Sequence, residues 1–184
     1  MRSVAFLFYR DDVEHAIIEF KARCNNHNRV REILKAKNAR FVGNDHQIDT
    51  YFCVPDGRLK IREGDIEHSL IFYSRPNHAG PKQSNVTMSA VPKQSDLRAV
   101  LSKALGVLVT VDKRREIYFV ENVKIHLDQV DALGEFIEVE AIGTASNVEK
   151  LKAQCESFLR QFGVQRGDLI QGSYSDMLLN SSQK

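Results

Sequence analysis

The chain has 184 residues, 42% of them hydrophobic and 27% charged, which suits one globular domain and excludes wholesale disorder, a collagen-like repeat or a disulfide scaffold. A domain of this size buries roughly 70% of its unfolded surface, so its core needs no covalent staples. Lys plus Arg number 26 against 24 Asp plus Glu, a net charge of +2, too even for a protein that coats itself in nucleic acid by bulk charge.

Residues 1–13 hold an apolar run, Val4 to Tyr9, that is too short for a signal-peptide core and meets Arg10, Asp11 and Asp12 at once. This segment is poorly specified, and one domain is expected over 14–179, followed by a polar tail at 180–184. His15 to Arg23 alternates like a strand. Asn28 to Lys37 places Val30, Ile33 and Leu34 on one helical face behind capping Asn residues. Pro55-Asp56-Gly57 and Glu63-Gly64-Asp65 are hairpin turns, and Arg75 to Lys82 is a Pro/Gly loop. A second helix is predicted from Ser95 to Leu105, stopping at Gly106. Glu121-Asn122 marks another hairpin. Ser146 and Glu149 read as a capping box for a helix carrying Leu151, Cys155, Phe158 and Phe162, ending at Gly163. Asp168 is the predicted cap of a last helix with Leu169, Ile170, Tyr174, Met177 and Leu178.

Cys24, Cys53 and Cys155 are odd in number, far apart and outside any CxxC pair, which points to reduced thiols. No segment approaches the ~18–20 apolar residues of a membrane span. A cytoplasmic protein with no membrane partner is the expectation.

Consecutive hairpins imply an α+β fold with neighbouring antiparallel strands rather than strand–helix alternation. Within each strand the charged residues keep to one face. Glu19, Lys21 and Arg23 oppose Ile18, Phe20 and Ala22; Arg58, Lys60 and Arg62 oppose Leu59 and Ile61. Lys124, His126 and Asp128 oppose Val123, Ile125 and Leu127, while Glu138 and Glu140 oppose Ile137 and Val139. Lys113 and Arg115 also share a face. A solvated sheet face is the ordinary explanation. Against it, like charges two residues apart repel unless an anion sits between them, and the strands carry complementary signs. If the sheet closes into a barrel with its polar face inward, the apolar faces bury against the helices and the charges converge on one lumen. Such a lumen is unstable empty, because unpaired buried charge costs several kcal/mol per ion. A polyanion with a divalent metal would satisfy both signs.

IIEFKARC, DHQIDTYFCVPDGRLKIRE, LIFYSRP, KRREIYF, VKIHLDQVDALGEFIEVEA and GSYSDMLL follow one another in an order that resembles CYTH proteins, the class IV adenylate cyclase and thiamine triphosphatase superfamily. The cyclase-like branch is the nearer one. The resemblance implies a closed antiparallel triphosphate tunnel of about eight strands, flanked by amphipathic helices. It implies Mg²⁺ or Mn²⁺ as cofactor and a small-molecule triphosphate as partner: ATP, thiamine triphosphate or inorganic triphosphate. Glu19 and Lys21 match the second Glu and the Lys of an E-x-E-x-K signature. By the same resemblance Lys21, Lys60, Arg62, Arg75, Lys113 and Arg115 are expected phosphate contacts. Glu19, Asp128, Glu138 and Glu140 are expected metal ligands, with Lys21 and Asp128 as the catalytic positions. Ile17 occupies the first acidic position of the signature, so one ligand is missing.

Metal-dependent hydrolysis of a triphosphate and cyclisation of a nucleotide use the same apparatus, and both stay open. The competing expectation is a non-catalytic polyanion-binding module in which Ile17 has removed productive metal geometry. A nucleic-acid partner is disfavoured by the charge balance. Tyr51 and Tyr73 are candidates to stack on an aromatic ring, Lys82 to reach over the tunnel mouth, and His126 faces inward beside Asp128.

Overall fold

The computed structural model describes residues 15–181. Eight strands close into a barrel: β1 His15–Arg23, β2 Arg40–Phe52, β3 Arg58–Gly64, β4 His68–Ser74, β5 Lys82–Ala90, β6 Val107–Val120, β7 Val123–Val130 and β8 Gly134–Thr144. Around the wall they run β1-β5-β4-β3-β2-β6-β7-β8. Every pairing is antiparallel, and β8 closes on β1 along its whole length, from His15 opposite Thr144 to Arg23 opposite Phe136. The closed, inward-polar barrel expected from the alternation is what the chain forms.

Among the described residues four α-helices accompany the barrel: α1 His27–Ala36, α2 Leu97–Leu105, α3 Val148–Phe162 and α4 Tyr174–Ser181. The main core lies outside the wall. Ile18, Phe20, Ile125, Leu127, Ile137 and Val139 point outward and pack on Val30 and Leu34 of α1 and on Leu151, Cys155, Phe158 and Phe162 of α3. A smaller cluster sets Phe52 and Ile61 against Leu97 and Leu101 of α2. At about 25 cal/mol per Å² of apolar surface removed from water, this outer shell is what holds the barrel shut around a polar interior.

Two helix starts differ from the expectation. The Ser146–Glu149 box does not form: Ala145–Asn147 make a 3₁₀ turn, α3 begins at Val148, and the Ser146 hydroxyl pairs with Thr144 Oγ1 at 2.9 Å. The last helix begins at Tyr174 rather than after Asp168. Strand β1 outruns β5, whose Lys82 faces Glu19, so the backbone beyond needs a partner. Residues 169 and 170 supply it: Leu169 bridges Ala22, and the Ile170 amide donates to the Lys21 carbonyl at 2.8 Å. An open sheet edge outcompetes the helical pattern there. Helix α4 then lies over one end of the lumen, with Tyr174, Met177 and Leu178 beside Val109 and Val111 of β6. The segment 1–13 lies outside the described residues, as do 182–184 of the expected tail; Asn180 and Ser181 continue α4.

Candidate functional site

Because side chains alternate along each strand, the charged face of every strand meets in the lumen. The cavity there, about 110 Å³, has room for several waters or a short polyanion. Seven cationic side chains line it against five carboxylates: Lys21, Lys60, Arg62, Arg75, Lys113, Arg115 and Lys124 face Glu19, Asp49, Glu67, Glu138 and Glu140. With Asp128 behind Arg115 counted, the cations exceed the acids by one.

Three ion networks organise it. Asp49 of β2 accepts from Lys60 at 2.8 Å, from Arg62 at 2.8 and 3.0 Å and from Lys113 at 2.7 Å. Glu67, in the turn between β3 and β4, accepts from Arg62 at 2.8 Å and from Gln47 at 3.0 Å, and pairs with Lys124. That turn is itself held by Asp45, which accepts from the amides of Ile66 and Glu67 at 2.9 and 3.0 Å. The turn closes too tightly for a side chain at Gly64, where a Cβ would stand 2.6 Å from the Glu67 carbonyl. In the third network Glu138 accepts from Lys21 and Arg115, both at 2.6 Å. Arg75 pairs with Glu19 and donates to the Gly172 carbonyl at 3.1 Å.

The sequence-expected cations all reach the lumen, as do Glu19, Glu138 and Glu140. Ile17 lines the same cavity, only 3% exposed. Asp128 sits deeper, fully buried, with both oxygens on Arg115 at 2.6 Å and a further bond from the Tyr174 hydroxyl at 2.7 Å. His126 is fully buried beside the late acidic pair, its Nδ1 3.3 Å from Glu138 and 3.9 Å from Glu140. Lys82 ties the 75–81 loop to the C-terminal segment, donating to the carbonyls of His78, Ile170 and Gln171 at 2.9, 3.2 and 2.8 Å. Tyr51 and Tyr73 face inward near Lys60. Asp49 and Glu67 were not among the expected residues. Asp49 has a faint signal, since Asp45, Gln47, Asp49 and Tyr51 share one face of β2; Glu67, in a turn, has none.

Burial and pairing set the ionisation. Burial pushes the Asp49 carboxyl up, but Arg62, Lys113 and Lys60 outweigh it and hold Asp49 well below its ordinary range. Glu138 is likewise held low, its burial overridden by Lys21 and Arg115. Lys113 feels the attraction of Asp49 but also the repulsion of Arg62, Arg115 and Lys60. For Lys113 burial wins and pushes its ammonium down to about 7. Burial, with Arg75 and Lys21 nearby, lowers Lys82 to about 8. Burial, then Arg115, lowers His126.

A pH prediction follows from Lys113. A polyanion beside it raises its pKa, so binding takes up a proton wherever the free lysine is neutral and the bound one charged. Affinity for inorganic triphosphate is therefore expected to fall as pH rises through about 7 to 8. Calorimetry in buffers of different ionisation enthalpy reads the uptake directly; proton release on binding would contradict it.

Comparison with known proteins places this geometry in context. The curated Methanocaldococcus jannaschii protein named "Putative adenylate cyclase MJ0240" is 24% identical over 170 residues, covering 87% of this chain and 97% of its own. A conserved hypothetical protein from Pyrococcus furiosus superposes with a TM-score of 0.74 at 20% identity, over 87% of this chain and 98% of that one. The "Putative adenylyl cyclase HpAC1" from Hippeastrum gives a TM-score of 0.59 at 15% identity, over 92% and 96%. The CYTH domain profile matches residues 15–174, through all eight strands and into the start of α4, and the chain belongs to the CYTH domain family.

Proposed function

We propose that the chain is an enzyme that takes the phosphate chain of a small-molecule triphosphate into the barrel lumen and, with a divalent cation, hydrolyses it. The observation that carries this reading is the convergence of seven cations and five carboxylates on one cavity in the lumen. Phosphoryl transfer asks for charge neutralisation and positioning more than for a covalent nucleophile, and this lumen is built from those two capacities. The Hippeastrum neighbour is described as having a dominant triphosphatase activity, which favours hydrolysis over cyclisation.

Lys60, Arg62, Lys113 and Arg115 would hold phosphate oxygens, exchanging their carboxylate partners for the substrate's charge. Lys21, poised over the Tyr174 ring at 3.9 Å to its centroid, is placed to leave Glu138 for a phosphate oxygen. Asp128 grips Arg115 by both nitrogens and so acts as a positioning residue, fixing the guanidinium plane toward the cavity. Glu138, held ionised, and Glu140, 20% exposed at the cavity wall, fit a divalent cation, with Glu19 on the neighbouring strand as a further oxygen donor. A cation there offsets charge that grows on the bridging and non-bridging oxygens.

The test is a panel of ATP, thiamine triphosphate and inorganic triphosphate, each with Mg²⁺ and with Mn²⁺, resolving phosphate, pyrophosphate and cyclic nucleotide. Metal-dependent phosphate release supports the reading, and cyclic nucleotide with pyrophosphate replaces it by cyclisation. The buried Ile17 in the lumen favours a second reading, a polyanion-binding module; tight binding without turnover across the whole panel would select it.

A further inference from the structure

We infer that His126 is a metal ligand in this chain alongside Glu138 and Glu140, making the metal site a mixed N/O site selective for transition ions over Mg²⁺. The inference rests on the reading that the lumen takes a divalent cation. His126 of β7 faces Glu138 of β8 directly, and Glu140 is the next residue on the same face of β8. Ligand atoms of His126, Glu138 and Glu140 all lie within 4.8 Å of one another. Ligands at about 2.1 Å from one ion stand about 3.0 Å apart when adjacent and about 4.2 Å when opposite. The His126 Nδ1 distances of 3.3 and 3.9 Å fall inside that span.

The ring has no adequate structural role to explain its burial. Its Nε2 has no hydrogen-bond partner among the described residues. Its other nitrogen makes a 3.3 Å contact to a carboxylate that Lys21 and Arg115 already satisfy at 2.6 Å. An ion between Nδ1 and the two carboxylates would replace that long contact with a coordination bond. Mg²⁺ demands oxygen ligands and dehydrates reluctantly, whereas imidazole suits Co²⁺, Ni²⁺ and Zn²⁺ and their affinities exceed that of Mn²⁺ for a given N/O set.

The experiment measures metal binding rather than turnover. Calorimetric titration of the whole chain with Co²⁺ and with Mg²⁺, in the presence of inorganic triphosphate, is combined with pulsed EPR of the Mn²⁺-loaded protein. Expected are tighter Co²⁺ than Mg²⁺ binding and a ¹⁴N coupling to Mn²⁺. His126→Ala should abolish the coupling and weaken Co²⁺ by about tenfold or more, since losing even an outer-sphere partner costs about that much. Mg²⁺ affinity should change little. Should His126→Ala fold poorly, His126→Gln, close in volume and offering an oxygen in place of the nitrogen, tests the same point: it should lose the ¹⁴N coupling and narrow the Co²⁺ preference. Metal binding with no ¹⁴N coupling and an unchanged Co²⁺ affinity in His126→Ala would overturn the inference and leave the triphosphatase reading standing. No binding of either ion, with no turnover of any triphosphate, would overturn both.

Discussion

Asp49→Asn is expected to lower stability by about 3–5 kcal/mol, the usual cost of stripping a buried ion cluster of one partner. The side chain keeps its shape, so packing is undisturbed, but the buried Lys60, Arg62 and Lys113 lose their common anion. For a chain of this length that loss corresponds to a fall in Tm of roughly 6–20 °C. Thermal or urea denaturation checks it. The same variant should bind inorganic triphosphate more tightly per folded molecule, because the polyanion now does alone what Asp49 shares in the native chain. An unchanged Tm, or a variant that the polyanion fails to stabilise beyond wild type, would show that the three cations do not depend on Asp49.

Arg62→Ala has the opposite signature. Arg62 donates to Asp49 through two nitrogens and to Glu67 through the third, so it bridges two of the lumen's acids. Its removal deletes a planar phosphate donor and leaves Asp49 and Glu67 freer to repel an incoming anion. Charge-assisted contacts of this kind contribute about 1.5–3 kcal/mol, so affinity for inorganic triphosphate should drop about 10- to 150-fold. Arg62→Lys should recover part of it, keeping the charge but not the fork. Calorimetry with both variants decides the matter; wild-type affinity in Arg62→Ala would remove Arg62 from the phosphate cradle.

The barrel is legible because charged residues keep to one face in β1, β3, β7 and β8 over residues 15–23, 58–62, 123–128 and 136–140, broken only by Ile17 in β1 and Phe136 in β8, and because the turn residues at 55–57 and 121–122 join neighbouring strands. Strand β5 carries no such signal. Its outward residues Gln83, Asn85, Thr87 and Ser89 are exposed, and its inward ones include Lys82 and Ser84, so neither face is apolar. The pairing of residues 169–170 with β1 was invisible for a different reason: it depends on how far β5 reaches, a long-range property. The site divides in the same way. Cations on alternating faces announce themselves locally, whereas Asp49's role emerges only when register brings β3 and β6 to either side of β2. Glu67 enters the lumen through a turn shaped by Asp45 and Gly64, and turns have no facial periodicity to read.

That phosphate oxygens sit inside the barrel is tested most directly by the crystal structure of the protein with a non-hydrolysable triphosphate analogue and Mn²⁺. The analogue should lie in the lumen with oxygens about 2.7–2.9 Å from nitrogens of Lys60, Arg62 and Arg115. An analogue that binds in solution yet rests on the outer wall, with the Asp49 and Glu138 ion pairs intact, would contradict the account.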